Sequence, residues 1–122
     1  MISIIIVTYN RFEYFSRCIE SIIATTKNTD KELIIWDNGS KDGTVELIEK
    51  YANDYSFVRP VLNNVNIGVN AKSKSFELAR GDYIVCFDDD VIELPEGWTE
   101  KMVKAFLAES KLGYLALDVV QN

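Results

Sequence analysis

The sequence predicts an α/β fold, a three-layer α/β/α sandwich built on a mainly parallel sheet. Short apolar runs typical of buried strands alternate with longer stretches whose apolar residues recur every three or four positions, as on one face of a helix. A polar cluster directly follows most of the predicted strands. Alternation of this kind is typical of parallel sheets covered by helices. With 122 residues, 48% of them hydrophobic, the chain is expected to form one domain over 1–122.

Five runs are predicted to be strands. They lie at 2–7, 33–36, 57–62, 82–87 and 112–120. The first is apolar throughout, as expected for a strand covered on both faces. Pro60 lies within the third and indicates an edge position or a bulge, because proline cannot donate to a ladder.

Four helices are predicted between these strands. Two occupy 12–25 and about 45–52, and the third ends at Arg80 with Gly81 as its C′ glycine. The fourth has Pro95 in its first turn and turns Trp98 inward.

Composition excludes several classes of function. The net charge of −6 argues against a nucleic-acid-binding surface. The chain contains no histidine, which excludes imidazole zinc sites and His-dependent triads and dyads within it. Cys18 and Cys86 have no second cysteine at metal or redox spacing, and we interpret both as buried free thiols. The apolar opening run is too short to span a bilayer, so we expect a cytoplasmic protein, either free or peripheral at the inner face of a membrane.

The polar clusters are expected to meet in one crevice. They lie at 8–11, 37–43, 63–68 and 88–90, each after a predicted strand. Ligands of open α/β sheets bind beyond the carboxyl ends of the strands, where these clusters fall.

The strongest chemical signal is Asp88-Asp89-Asp90. In extended backbone Asp88 and Asp90 share one side and Asp89 faces the other. Neighbouring carboxylates repel unless a cation lies between them, and Mg²⁺ and Mn²⁺ prefer oxygen ligands. We therefore predict a divalent metal held by Asp88 and Asp90. The alternative is a solvated acidic turn beside the next helix.

Further candidates follow the first two strands. Asp37 at the tip of the second strand is predicted to accept hydrogen bonds from a base or a ribose, while 38–43 form a turn. Thr8 and Tyr9 are predicted to contact the base and Arg11 to lie near phosphate. Asn10 is a further candidate, and the alternative for it is a helix cap.

The loop after the third strand offers weaker candidates. Asn66 and Gly68 precede a helix, and Gly68 would permit close backbone approach to a ligand. Lys72 on that helix is predicted to face a diphosphate, with a solvated lysine as the alternative.

Taken together, these segments resemble glycosyltransferase family 2. The matching segments are 3–11, with Thr8-Tyr9-Asn10-Arg11; 35–44, with Asp37-Asn38-Gly39-Ser40; 66–68; 79–84; and 88–90, where the family carries its Asp-x-Asp motif. The resemblance implies the GT-A fold and inverting transfer from a nucleoside-diphosphate sugar, often a uridine one, to an acceptor hydroxyl. It also implies Mn²⁺ or Mg²⁺, with Asp90 as the direct ligand and Asp88 and Asp89 near the donor.

The resemblance has two departures. At 71–76 the chain lacks the Asn and Gly that often follow Asn66-Ile67-Gly68 in the family, and no residue matches the family's general base, so none is named. We therefore expect a truncated form of the fold that lacks most of the acceptor half. A nucleotide-sugar-binding module without transferase activity remains the alternative, whereas a nucleotidyltransferase would need a Gly-rich basic loop at 8–11. The acceptor is open between glycan, lipid and protein, and an open sheet edge allows a homodimer.

Overall fold

The computed structural model describes residues 1–109 and Gly113. Within them four strands alternate with four helices. In chain order these are β1 (Ile2–Thr8), α1 (Phe12–Thr25), β2 (Lys31–Asp37), α2 (Thr44–Asp54), β3 (Val58–Leu62), α3 (Asn70–Leu78), β4 (Tyr83–Asp88) and α4 (Trp98–Ala108). The predicted alternation is confirmed over this range. The predicted fifth strand at 112–120 lies outside the described residues, apart from Gly113.

The sheet of the described residues is wholly parallel, with the strand order β3-β2-β1-β4. β3 is an outer strand, so the edge position predicted from Pro60 is confirmed. β1 is central, and its last residue, Thr8, pairs in register with Asp37 of β2. The carboxyl ends of β1, β2 and β4 therefore lie side by side.

Helices cover both faces of the sheet. Ile4 and Ile6 of β1 belong to one buried cluster with α1 residues and with Trp98 of α4. Ile5, which points to the opposite face because side chains alternate along a strand, is also buried. α3 packs against β1 and β2 and turns Ala71 inward. The predicted α/β/α arrangement is confirmed. Across the described part of the chain, no helix is both long and apolar enough to cross a membrane.

Two predicted helix boundaries were wrong. α3 ends at Leu78, and Gly81 lies beyond its cap in the approach to β4. A Cβ on Gly81 would lie 2.6 Å from the backbone N of Ser3, so glycine is required there by close approach to β1 and not by a helix cap. α4 begins at Trp98 after Gly97, whose φ of 76° is left-handed, and Pro95 lies in the preceding loop.

Candidate functional site

A cleft of about 400 Å³ opens at the carboxyl ends of the strands. Its lining residues are Val7, Thr8, Tyr9, Arg11, Asn38, Gly68, Val69, Lys72, Asp88 and Asp89. The predicted convergence of the polar loops is therefore found in the structure. Asn10, Asp37, Asn66 and Asp90 are not among the lining residues. Val7, Asn38 and Val69 line the cleft and were not predicted.

In the acidic segment Asp88-Asp89-Asp90, the first residue ends β4 and the other two lie in a turn. β4 ends at Asp88, and the backbone N of Val91 donates to the carbonyl oxygen of Asp88 at 3.2 Å. The prediction of extended backbone through Asp90 was therefore wrong, because this turn closes directly after the strand. The predicted division of side chains was also wrong, because Asp89 and Asp90 both contact Arg11 Nη1, while Asp88 and Asp89 line the cleft.

Asp89 joins the acidic turn to β1. Thr8 Oγ1 donates to Asp89 Oδ2 at 3.0 Å, and Arg11 Nη1 donates to Asp89 Oδ1 at 3.3 Å. Arg11 also lies 3.6 Å from Asp90 Oδ2. Thr8 is itself almost wholly buried. The hydrogen bond between Thr8 and Asp89 therefore holds the end of β1 against the end of β4, where both residues line the cleft.

Asn10 and Asp42 tie the loop after β1 to the loop after β2. The Asn10 backbone N donates to Ser40 Oγ at 2.8 Å, and the Lys41 backbone N donates to Asn10 Oδ1 at 2.8 Å. Asn10 has a φ of 49°, a left-handed conformation that asparagine tolerates. The alternative of Asn10 as a side-chain cap of α1 was wrong, because it bonds Lys41 instead. Asp42 Oδ2 accepts from the first N–H of α1, on Phe12, at 2.9 Å.

Asp37 and Asn38 have different contacts at the tip of β2: Asp37 bonds the turn that follows, and Asn38 lines the cleft. Asp37 is buried, and its Oδ2 accepts from the backbone N of Gly39 at 3.0 Å and of Ser40 at 2.9 Å. Within residues 1–109 and 113, Asp37 Oδ1 is buried without a hydrogen-bond partner. Asn38 lines the cleft, and its Oδ1 accepts from Trp36 Nε1 at 3.0 Å. The sequence predicts Asn38 only as part of the turn at 38–43, and its position at the cleft was not predicted.

The loop after β3 forms the opposite wall of the cleft. Asn66 Oδ1 accepts from the backbone N of Gly68 at 2.8 Å, which closes a local turn. Gly68 has a φ of 61°, and a Cβ there would meet nothing within 4 Å, so space is open above its backbone. Lys72 in the first half of α3 is exposed and lines the cleft.

The exposed carboxylates of the acidic turn are oxygen donors of the kind that a divalent ion prefers. No group of three or more Cys, Asp or Glu side chains suited to a metal occurs in the part of the chain that the structure describes. Mg²⁺ characteristically takes only one or two carboxylates and fills its shell with water and substrate phosphate oxygens. The exposed carboxylates of Asp88 and Asp90 fit that requirement, and a cage made of protein alone does not exist among the described residues.

The two cysteines do not add reactive groups to the cleft. Cys18 is free and buried, and burial, together with the nearby acidic turn, raises the pKa of its thiol to about 12. Cys86 is also free but only half-buried, so its predicted full burial was wrong; burial raises its pKa as well. Cys18 Sγ lies 3.7 Å from the carbonyl oxygen of Asp88 and packs beneath the acidic turn.

Comparison with known families identifies the fold and its lineage. Residues 3–117 match the model of the family described as Glycosyl transferase family 2. This chain belongs to glycosyl transferase family 2. The resemblance read from the ordered motifs is thereby confirmed over nearly the whole sequence.

Relatives of this family 2 chain include proteins named as glycosyltransferases. The cholesterol galactosyltransferase of Borreliella burgdorferi is 38% identical over 94 residues, which cover 75% of this chain and 26% of the relative. The chain thus spans about a quarter of that relative's length.

Solved structures confirm the GT-A fold of the family 2 chain. The mannosyltransferase PcManGT from Pyrobaculum calidifontis, in complex with GDP-Man and Mn²⁺, superposes with a TM-score of 0.77 at 21% identity, covering 86% of this chain and 32% of that one. S. aureus TarS 1-349 in complex with UDP-GlcNAc superposes with a TM-score of 0.72 at 24% identity, covering 88% and 31%. At these identities the likeness establishes the fold.

Proposed function

We propose that this chain binds the sugar donor of a glycosyl transfer reaction, a nucleoside-diphosphate sugar, in the cleft at the carboxyl ends of β1, β2 and β4. One observation carries the proposal. In a family 2 chain, one cleft is lined by polar residues from all four loops that follow the strands, among them Tyr9, Asn38 and Asp88.

The nucleoside end of the donor is assigned to the side of the cleft formed by β1 and β2. Tyr9 is exposed and offers a ring for stacking against a base. Asn38 offers one of its two amide N–H donors, because its Oδ1 accepts from Trp36 and its Nδ2 already donates to the Gly68 carbonyl oxygen at 3.5 Å. Asp37 remains proposed as an acceptor for base or ribose, supported by its unpartnered Oδ1, since a buried acceptor without a partner is costly. Thr8 positions the acidic turn beside them.

The diphosphate end is assigned to Arg11, Lys72 and the acidic turn. Arg11 and Lys72 line the cleft and supply positive charge for phosphate oxygens. Asp90 is proposed as the direct ligand of Mn²⁺ or Mg²⁺, with Asp88 beside it. A divalent ion held there neutralises the charge that develops on the departing diphosphate. Transfer with inversion then requires an acceptor hydroxyl on the opposite face of the sugar.

The donor base is proposed to be uracil, and the acceptor stays unassigned. UDP-GlcNAc is the ligand of TarS and GDP-Man that of the mannosyltransferase, so both bases are compatible with the fold.

Among the cleft residues only Asp88 and Asp89 are carboxylates, and both belong to the acidic turn. We therefore assign no general base. This observation favours, as a second candidate, a module that binds the nucleotide sugar and transfers nothing by itself.

Calorimetric titration with UDP, GDP, dTDP and CDP, each with and without Mn²⁺, tests the donor site. We expect UDP to bind and to need Mn²⁺, and Asp90→Ala to weaken binding by about tenfold or more, the equivalent of one lost charge-assisted ligand. Asp54→Ala removes an exposed carboxylate at the end of α2 and is the matched control. Binding of no diphosphate in the presence of Mn²⁺ would refute the proposal.

Product analysis separates the two candidate functions. The chain is incubated with the diphosphate sugar of the base that binds, Mn²⁺, and glycan, lipid or peptide acceptors. Formation of a glycosylated acceptor identifies a transferase. Tight donor binding with neither transfer nor release of free sugar identifies a binding module.

A further inference from the structure

Arg11 already occupies the acidic turn as a counter-ion. Its Nη1 lies 3.3 Å from Asp89 Oδ1 and 3.6 Å from Asp90 Oδ2, so a single guanidinium nitrogen is shared between two carboxylates. Asp90 is the residue to which the proposed function gives the divalent ion. The Arg11 guanidinium and the proposed divalent ion therefore compete for the carboxylate of Asp90.

The backbone of Arg11 is held on both sides. The preceding residue, Asn10, exchanges hydrogen bonds with Ser40 and Lys41, and the following residue, Phe12, donates its N–H to Asp42. These bonds anchor the start of α1 to the loop after β2. Any rearrangement of Arg11 must therefore be a movement of its side chain alone.

The two carboxylates hold Arg11 unequally. The side chain of Asp89 is only 11% exposed and is also bonded to Thr8, whereas the side chains of Asp90 and Arg11 are each 51% exposed. Ion pairs between exposed groups are weak, because water competes for both partners. The contact of Arg11 with Asp89 is thus the anchored one, and the contact with Asp90 is the one that yields.

We propose that Arg11 is an exchangeable counter-ion that couples metal binding to donor binding. This inference rests on the proposed function. Without ligand, Arg11 neutralises Asp90. When Asp90 takes a divalent ion, Arg11 keeps its contact with Asp89 and presents its freed N–H groups to the cleft that it lines, where the diphosphate is expected.

Coupling follows from this competition. Binding of Mn²⁺ alone must break the contact between Arg11 and Asp90. The displaced guanidinium then has no new anionic partner, so the affinity for Mn²⁺ alone is lowered. Binding together with a diphosphate gives the displaced guanidinium a new anionic partner. The metal and the diphosphate should therefore increase each other's affinity by the same factor, as linkage requires.

Two binding measurements on wild type and Arg11→Gln test this role without any assay of activity. Affinity for Mn²⁺ alone is measured from the electron paramagnetic resonance signal of the free ion, and affinity for UDP is measured calorimetrically with and without Mn²⁺. We expect Arg11→Gln to bind Mn²⁺ alone roughly two- to fivefold more tightly, the range set by a half-exposed ion pair. The factor by which Mn²⁺ tightens UDP binding should fall in the same variant.

Two further variants sharpen the test. Arg17→Gln removes an equal charge from an exposed position on α1 and should leave both affinities unchanged. In Arg11→Lys an ammonium replaces the planar fork, so its affinity for Mn²⁺ should lie between those of wild type and Arg11→Gln. If circular dichroism shows that Arg11→Gln is unfolded, Arg11→Lys must still bind Mn²⁺ more tightly than wild type.

The outcomes distinguish this inference from the proposed function. Metal-dependent UDP binding in wild type, with Mn²⁺ affinity unchanged or weakened in Arg11→Gln, would overturn the role of Arg11 and leave the donor site standing. Equal tightening in Arg17→Gln would reduce the effect to net charge and also overturn it. Failure of wild type to bind either Mn²⁺ or UDP would overturn both.

Discussion

Asp37 and Asn38 are adjacent residues with different tasks. Asp37 is buried, and its carboxylate closes the turn after β2 through the N–H groups of Gly39 and Ser40. Asn38 lines the cleft with an amide whose orientation is fixed by the indole N–H of Trp36. A substitution at Asn38 should therefore alter ligand binding and local packing together.

Replacement of Asn38 by alanine tests that expectation. Loss of the amide should weaken binding of the nucleotide by about fivefold to tenfold, the value of one hydrogen bond. Trp36 Nε1 would lose its partner, and the free energy of unfolding should fall by about 1–3 kcal/mol. Calorimetry measures the first effect and urea denaturation the second. Asn53→Ala, at an exposed position in α2, should change neither quantity; unchanged nucleotide affinity in Asn38→Ala would remove Asn38 from the site.

The sequence placed the acidic segment correctly because its signal is local. Three consecutive aspartates after an apolar strand predict a polar site at the strand end, and Asp88 and Asp89 line the cleft there. The bond from Thr8 to Asp89 joins residues 81 positions apart, and only the register of β1 with β4 brings them together. Asn38 was missed because an Asn-Gly pair predicts a turn by itself.

Among the secondary-structure elements, β1 and β4 depend on a close backbone approach near Gly81. An added Cβ at Gly81 would lie 2.8 Å from Met1 O as well as 2.6 Å from Ser3 N. Both are backbone atoms and have little freedom to move aside. The Gly81 N–H also donates to Ser3 Oγ at 2.8 Å, which draws the segment before β4 against β1.

Gly81→Ala should therefore destabilise the protein through steric overlap. We expect the free energy of unfolding to fall by about 2–3 kcal/mol, at the upper end for overpacking. Gly97→Ala is the matched control, since Gly97 has a φ of 76° but open space, with its nearest neighbour at 3.9 Å. Its cost should be about 1–2 kcal/mol, that of a left-handed residue. Urea denaturation compares the two, and an equal or smaller cost for Gly81→Ala would contradict the steric explanation.

The elements themselves could be predicted because their signals are local. Apolar periodicity fixed α1 at Phe12–Thr25, and continuous apolar runs fixed β1 and β2 to within two residues at each end. Gly81 and Pro95 were misassigned because glycine and proline mark helix ends and starts only by preference. Their actual positions depend on the packing of β1 and on the loop that leads to α4.

At the scale of the whole molecule, the two ends of the sheet are specialised differently. The carboxyl ends carry the cleft, and the amino ends are joined by the buried carboxylate of Glu32 in β2. Ser3 Oγ of β1 and the backbone N of Arg80 each donate to Glu32 Oε1 at 2.6 Å, and Arg59 of β3 pairs with its other oxygen. One carboxylate thus holds β1, β2, β3 and the segment before β4 in register.

This connection predicts a specific dependence of stability on pH. Burial raises the pKa of Glu32, but hydrogen bonds from Ser3, the Arg80 N–H and Arg59 outweigh it and hold the pKa below its usual value. Because the folded pKa is the lower one, the ionised group stabilises the fold above the unfolded value of about 4.3, and that stabilisation is lost as pH falls through the folded pKa. Glu32→Gln should therefore lower the free energy of unfolding by about 1.5–3 kcal/mol at pH 7, with the difference from wild type shrinking as pH falls below about 4.

Urea denaturation between pH 7 and pH 3 measures this difference. Glu49→Gln, at an exposed position, is the control and is expected to match wild type throughout. A difference between wild type and Glu32→Gln that stays constant over that range would show that the charge of Glu32 does not stabilise the fold.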